Sequence, residues 1–120
     1  MNQIPYKDRA KIHTEALATY GAHTQLVVAL EELSEVQKEI CKALRGDTRR
    51  LCLAEEIADA TIMLEQLRLI FDINAEVCQA IDGKVARLQQ RVDDEKTRRR
   101  VRQENLRAAL AKYKIGEESQ

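Results

Sequence analysis

Turn chemistry is nearly missing from this chain: its one proline is Pro5, and its four glycines stand at 21, 46, 83 and 116. A many-stranded β fold needs turn signals roughly every 8–12 residues, and the sequence does not supply them. The expected fold class is therefore all-α. With one Phe, three Tyr and no Trp, helix contacts must be built mainly from Leu, Ile, Val and Ala. A chain of 120 residues is one domain's worth and can bury about two-thirds of its unfolded surface.

Apolar spacing and breakers place the helices. The first is predicted over about 7–20, with Gly21 ending it. A second, over about 23–44, carries Leu26, Leu30, Leu33, Ile40 and Leu44 as one stripe, with Gln37 filling the missing step. Arg45-Gly46-Asp47-Thr48 then offers a stop, a turn and a new cap at Asp47 or Thr48. The third helix, over about 49–71, is apolar almost all round. Leu53, Ile57, Ala60, Leu64, Leu67 and Phe71 make one face, and Ile62 and Leu69 lie opposite. Such a helix needs cover on several sides, so a second copy of the chain is expected. A fourth helix carries Val77, Ile81, Val85, Leu88 and Val92, with Gly83 marking a bend or a close approach. Leu106, Leu110 and Tyr113 indicate one more helical segment beyond a charged stretch.

Twenty basic and twenty acidic residues cancel, so no global field draws the chain to nucleic acid or membrane. Five positive charges do cluster between Lys96 and Arg102, but Asp93, Asp94, Glu95 and Glu104 flank them. That pattern reads as a solvated helix rather than a nucleic-acid contact. No secretory leader or membrane span is visible, and a cytoplasmic protein is expected. Cys41, Cys52 and Cys78 fit neither a zinc pattern nor a disulfide framework and are expected as reduced, buried thiols. His13 and His23 are expected at the surface.

Two acidic motifs carry the chemistry: Glu31-Glu32-Leu33-Ser34-Glu35 and Glu56-Ile57-Ala58-Asp59. Residues three apart share a helix face, so Glu32 projects with Glu35 and Glu56 with Asp59. Two antiparallel helices joined by a short loop can bring both pairs together. Four converging carboxylates repel one another unless a hard divalent cation, magnesium or manganese, sits among them. Asp59 adds weight, because ten of the fifteen residues from Ile57 to Phe71 are apolar and no basic residue lies one turn away. Glu31, Glu39 and Glu55 are expected to be solvated.

At these residues the sequence resembles the MazG-like all-α nucleoside triphosphate pyrophosphohydrolases. Their signature is a Glu-rich ExxE on one helix and an ExxD on the next. The likeness takes in Tyr20-Gly21 and Gln25-Leu26, continues to Lys84 and Arg91, and covers about residues 15–92. It implies a four-helix bundle completed by dimerisation, or by dimers paired into tetramers. A catalytic domain would span 1–92 and a charged helical extension 93–120. It further implies hydrolysis of an NTP or dNTP to NMP and pyrophosphate, with Glu32, Glu35, Glu56 and Asp59 as magnesium ligands. Lys84 and Arg91 would contact phosphate and Gln25 the nucleoside. A carboxylate not fully used in coordination, Glu31 or Glu35, could accept a proton as general base. Two other readings compete. One is a non-catalytic helical oligomerisation protein with a solvated acidic face. The other is a nucleic-acid-binding accessory protein acting through 96–102.

Overall fold

The computed structural model describes residues 3–118, with side chains as far as 114. The chain is all-helical: α1 spans Tyr6–Tyr20, α2 Ala22–Leu44, α3 Arg50–Ile70 and α4 Asn74–Glu118. Its contacts divide it into two units, Met1–Ala75 and Glu76–Gln120. Among the described residues, no helix is long and apolar enough to cross a membrane.

The first unit is built on sharp stops. Gly21 joins α1 to α2 by itself, at φ 86° and ψ 151°, a backbone region open essentially only to glycine. Its N–H donates to the Leu17 carbonyl while its own carbonyl accepts from Gln25. At the end of α2, Gly46 takes φ 88°, the Asp47 N–H reaches back to the Lys42 carbonyl, and the Gly46 N–H reaches Ala43. This paired closure satisfies carbonyls that the helix end would leave open. The stop is where the sequence places it, but the cap is not. Arg49, with extended backbone and no side-chain hydrogen bond, precedes α3 in place of Asp47 or Thr48. The α3 end repeats the closure, with Asp72 at φ 51° and the Ile73 N–H donating to the Arg68 carbonyl. Aspartate tolerates that left-handed geometry better than most residues.

α1, α2 and α3 pack on one another, and the expected stripes of α2 and α3 are only partly covered, with Leu26, Leu33, Leu53 and Leu67 half-buried. Among the described residues the buried hydrophobics are Ala29, Ala60 and Met63. Leu30 and Leu44 of the expected α2 stripe are exposed, as are Ile57, Leu64 and Phe71 of α3. The inward face of α2 instead runs through Gln25, Ala29 and Glu39, and that of α3 through Ala60, Met63 and Gln66. Polar groups therefore fill much of the interior. Across it runs a bonded chain. Arg9 lies 3.2 Å from Glu65 Oε1, and the Nε2 of His13 lies 2.7 Å from Glu65 Oε2. Gln66 Nε2 approaches His13 Nδ1 at 3.5 Å, and Gln25 Nε2 donates to Gln66 Oε1 at 2.7 Å. Hydrogen on His13 Nε2 satisfies both of its contacts. His13 is thus a buried link among three helices rather than a surface side chain; His23 is exposed. The cysteines also depart from expectation: Cys41 and Cys78 are exposed and Cys52 is half-buried.

In the second unit, α4 is one uninterrupted helix of 45 residues, where the sequence suggests a helix and a further segment. Helical structure runs straight through Gly83, and a side chain built there would meet nothing within 4 Å, so no close approach explains the glycine. Intrahelical pairs support the charged stretch that lacks apolar residues. Gln89 donates to Asp93 and Gln90 to Asp94, both at 2.9 Å, one turn apart.

Candidate metal centre

The short connection between α2 and α3 reverses the chain and sets the acidic faces of both helices against each other. Carboxylate oxygens of Glu32, Glu56 and Asp59 come within 4.8 Å of one another. Glu32 and Glu56 are half-buried and Asp59 is exposed. Asp59 therefore meets solvent, contrary to the burial that its apolar neighbourhood in sequence suggests. The apolar residues Ile57, Ile62 and Leu64 beside it are themselves exposed, so they form no dry wall around it.

Glu35 is not one of the three convergent groups. It is half-buried, and its Oε2 lies 3.6 Å from Lys38, one turn further along. Its charge nevertheless reaches the cluster. Partial burial, and then the negative charges of Glu35, Glu32, Asp59 and Glu39, raise the Glu56 carboxyl above its usual pKa. Both effects disfavour the ionised form.

Glu39 departs from the solvated position expected of it. It is only 6% exposed, its Oε1 lies 3.1 Å from Lys42, and its Oε2 is buried with no hydrogen-bond partner. The signal lies in its register. Glu39 follows Glu35 by four residues and Glu32 by seven, which places all three on one side of α2. Glu31 and Glu55 are exposed, as expected. A buried carboxylate oxygen without a donor is costly, and the negative charge of Glu39 also bears on Glu56. The donor set offers hard oxygen ligands and no imidazole or thiolate, which suits magnesium, manganese or calcium better than zinc.

The remaining site candidates lie elsewhere. Gln25 is buried, and its amide is engaged with Gln66. Lys84 and Arg91 belong to the second unit, where with Arg87 and Gln90 they line a shallow concavity on α4. In the basic run, Arg98 and Arg99 pair with Glu95, and Arg100 pairs with Glu104. Three of its five cations thus face acids of the same helix. Comparison with known protein families, curated proteins and solved structures finds no match.

Proposed function

We propose that the chain is a divalent-cation-dependent nucleoside triphosphate pyrophosphohydrolase, with Glu32, Glu35, Glu56 and Asp59 as cation ligands. The observation that supports this reading is the convergence of the Glu32, Glu56 and Asp59 oxygens within 4.8 Å. Glu39 strengthens it, because its buried, unpartnered oxygen adds a further donor to the same acidic face. Bound there, magnesium or manganese would offset the carboxylate charge, attract triphosphate oxygens and make a water more acidic.

The side chains have distinct parts in this scheme. Glu32, Glu56 and Asp59 hold the cation. Glu35, with one oxygen toward Lys38, keeps a second oxygen that can take the proton of the attacking water; exposed Glu31 is the alternative acceptor. Water attacks the α-phosphorus, the bond to the bridging oxygen breaks, and NMP and pyrophosphate leave. Gln25, Lys84 and Arg91 enter only through the family resemblance, as nucleoside and phosphate contacts. A homodimer or homotetramer belongs to the same proposal. Its support is the apolar surface that the first unit leaves outward, including Leu30, Leu44, Ile57, Leu64 and Phe71.

The test is pyrophosphate release from each of the eight standard NTPs and dNTPs with magnesium, alongside calorimetric titration of the cation. Release from at least one nucleotide, lost in Glu56→Gln, supports the proposal. No release and no heat of cation binding would overturn it.

A further inference from the structure

We propose that Lys42 is a tethered substitute for the divalent cation: its ammonium holds Glu39 while the acidic face of α2 is free of cation, and gives that carboxylate up when the cation binds. The exchange rests on the cation site of the hydrolase reading and adds to it a ligand, Glu39, and a competitor, Lys42.

The two oxygens of Glu39 are treated differently by the fold. Oε1 lies 3.1 Å from the Lys42 Nζ, whereas Oε2 is buried with no hydrogen-bond partner. The side chain is only 6% exposed, a rare state for a glutamate. Glu39 is one of the inward residues of α2, the helix that packs on α3, and it shares a helix side with Glu32 and Glu35. Its charge also bears on Glu56 of α3. One oxygen is thus committed to an ammonium, and the other is left over in a residue tied to the acidic cluster by register and by charge.

Burial makes the second oxygen matter. In water it would be hydrated, but a buried oxygen without a donor leaves part of the ion's solvation unreplaced. A divalent cation supplies what is missing, because it takes several oxygen ligands at once and carries twice the charge of an ammonium. Lys42 is suited to leaving. Its side chain is 21% exposed, and a flexible stem carries an ammonium that water solvates strongly. At the pair one turn earlier, Glu35 with Lys38, the lysine is already exposed, so its charge is screened and less is exchanged. Because ammonium and cation compete for one carboxylate, the free energy by which the Lys42 contact stabilises the cation-free chain is withheld from cation binding.

Calorimetric titration of the full chain with magnesium chloride, with melts in EDTA beside it, tests the exchange. Lys42→Met should tighten magnesium binding about tenfold and lower the Tm in EDTA, because Glu39 then has no counter-charge until the ion arrives. Lys42→Arg, which keeps the charge, should not tighten it. On a Glu39→Gln chain, Lys42→Met should move the Kd less than about twofold. Tightening of equal size with and without Glu39→Gln would be a general charge effect and would overturn the exchange, as would a Kd that Lys42→Met leaves unmoved or weakens. Should Lys42→Met not fold, Lys42→Gln carries the same expectation and the same refutation. A second readout follows the ammonium itself. Saturating magnesium should raise acetylation of Lys42 by an N-hydroxysuccinimide ester severalfold, read by mass spectrometry against Lys7 and Lys11; unchanged labelling refutes release. If the native chain binds no magnesium, the exchange falls together with the hydrolase reading. If it binds and Lys42 has no effect, the exchange falls alone.

Discussion

Glu39→Gln isolates the least comfortable atom in the first unit. The substitution keeps the shape of the side chain, removes its charge, and puts an amide where one oxygen now lies buried without a donor. An unsatisfied buried polar group costs about 1–3 kcal/mol and more when it is charged, so the neutral amide costs less than the carboxylate and also relieves its repulsion with Glu56. Against this, the change weakens the contact with Lys42, whose side chain is 21% exposed. Ion pairs of that kind contribute about 0–1 kcal/mol. The cation-free protein should therefore gain about 1 kcal/mol, a rise in Tm of roughly 4 °C for a domain of this size. With cation the order reverses. The native chain should gain about 2.7 kcal/mol at a concentration one hundred times Kd, whereas the variant, short of one carboxylate on the acidic face, gains less. Thermal melts in EDTA and in magnesium chloride measure both quantities. A variant that melts lower in EDTA, with an unchanged magnesium increment, would show that Glu39 serves the Lys42 pair alone.

Three further outcomes follow from the same geometry. Glu56→Gln or Asp59→Asn should abolish magnesium-dependent pyrophosphate release while leaving the cation-free Tm unchanged or higher; a loss of several degrees in EDTA would contradict the crowding of carboxylates. Because the folded state raises the Glu56 pKa above its ordinary 4.5, the stability it contributes is complete below that value and is lost as pH rises through the folded value. Cation-free urea midpoints should accordingly fall with rising pH in that window, and the Glu56→Gln chain should lack that part of the fall. Gln66→Leu should cost about 1–3 kcal/mol in urea denaturation, since it strips partners from both Gln25 and His13.

The helix boundaries are legible in the sequence because they rest on local chemistry: Gly21, Gly46 and the Asp72 turn each stop a helix within about a residue of the expected place. The convergence of Glu32, Glu56 and Asp59 is legible for a similar reason, since spacing along two adjoining helices fixes it. Which side of each helix turns inward is legible only in part. On α3 the expected face supplies buried Ala60 and half-buried Leu53 and Leu67, whereas its Ile57, Leu64 and Phe71 are exposed, and α2 turns inward through Gln25, Ala29 and Glu39. Burial of His13, Gln25 and Gln66 depends on partners some forty to fifty residues away in sequence, which no local pattern reveals. The burial of Glu39, by contrast, has a local signal in its register with Glu32 and Glu35. The roles of Lys84 and Arg91 rest on resemblance alone, to which their placement on α4 adds a shared concavity.

The joint at Gly21 carries one more consequence. Because a single residue turns the chain from α1 into α2, it alone determines whether His13 meets Gln66 within one molecule or across two. Alanine at 21 would be strained at φ 86°, although no neighbour obstructs its side chain. The relaxed alternative is a straight rod from Tyr6 to Leu44, whose first half must find its buried partners on another chain. Exchange of α1 between protomers, visible as an interlocked dimer that refolding at high dilution resolves, is the expected behaviour of Gly21→Ala.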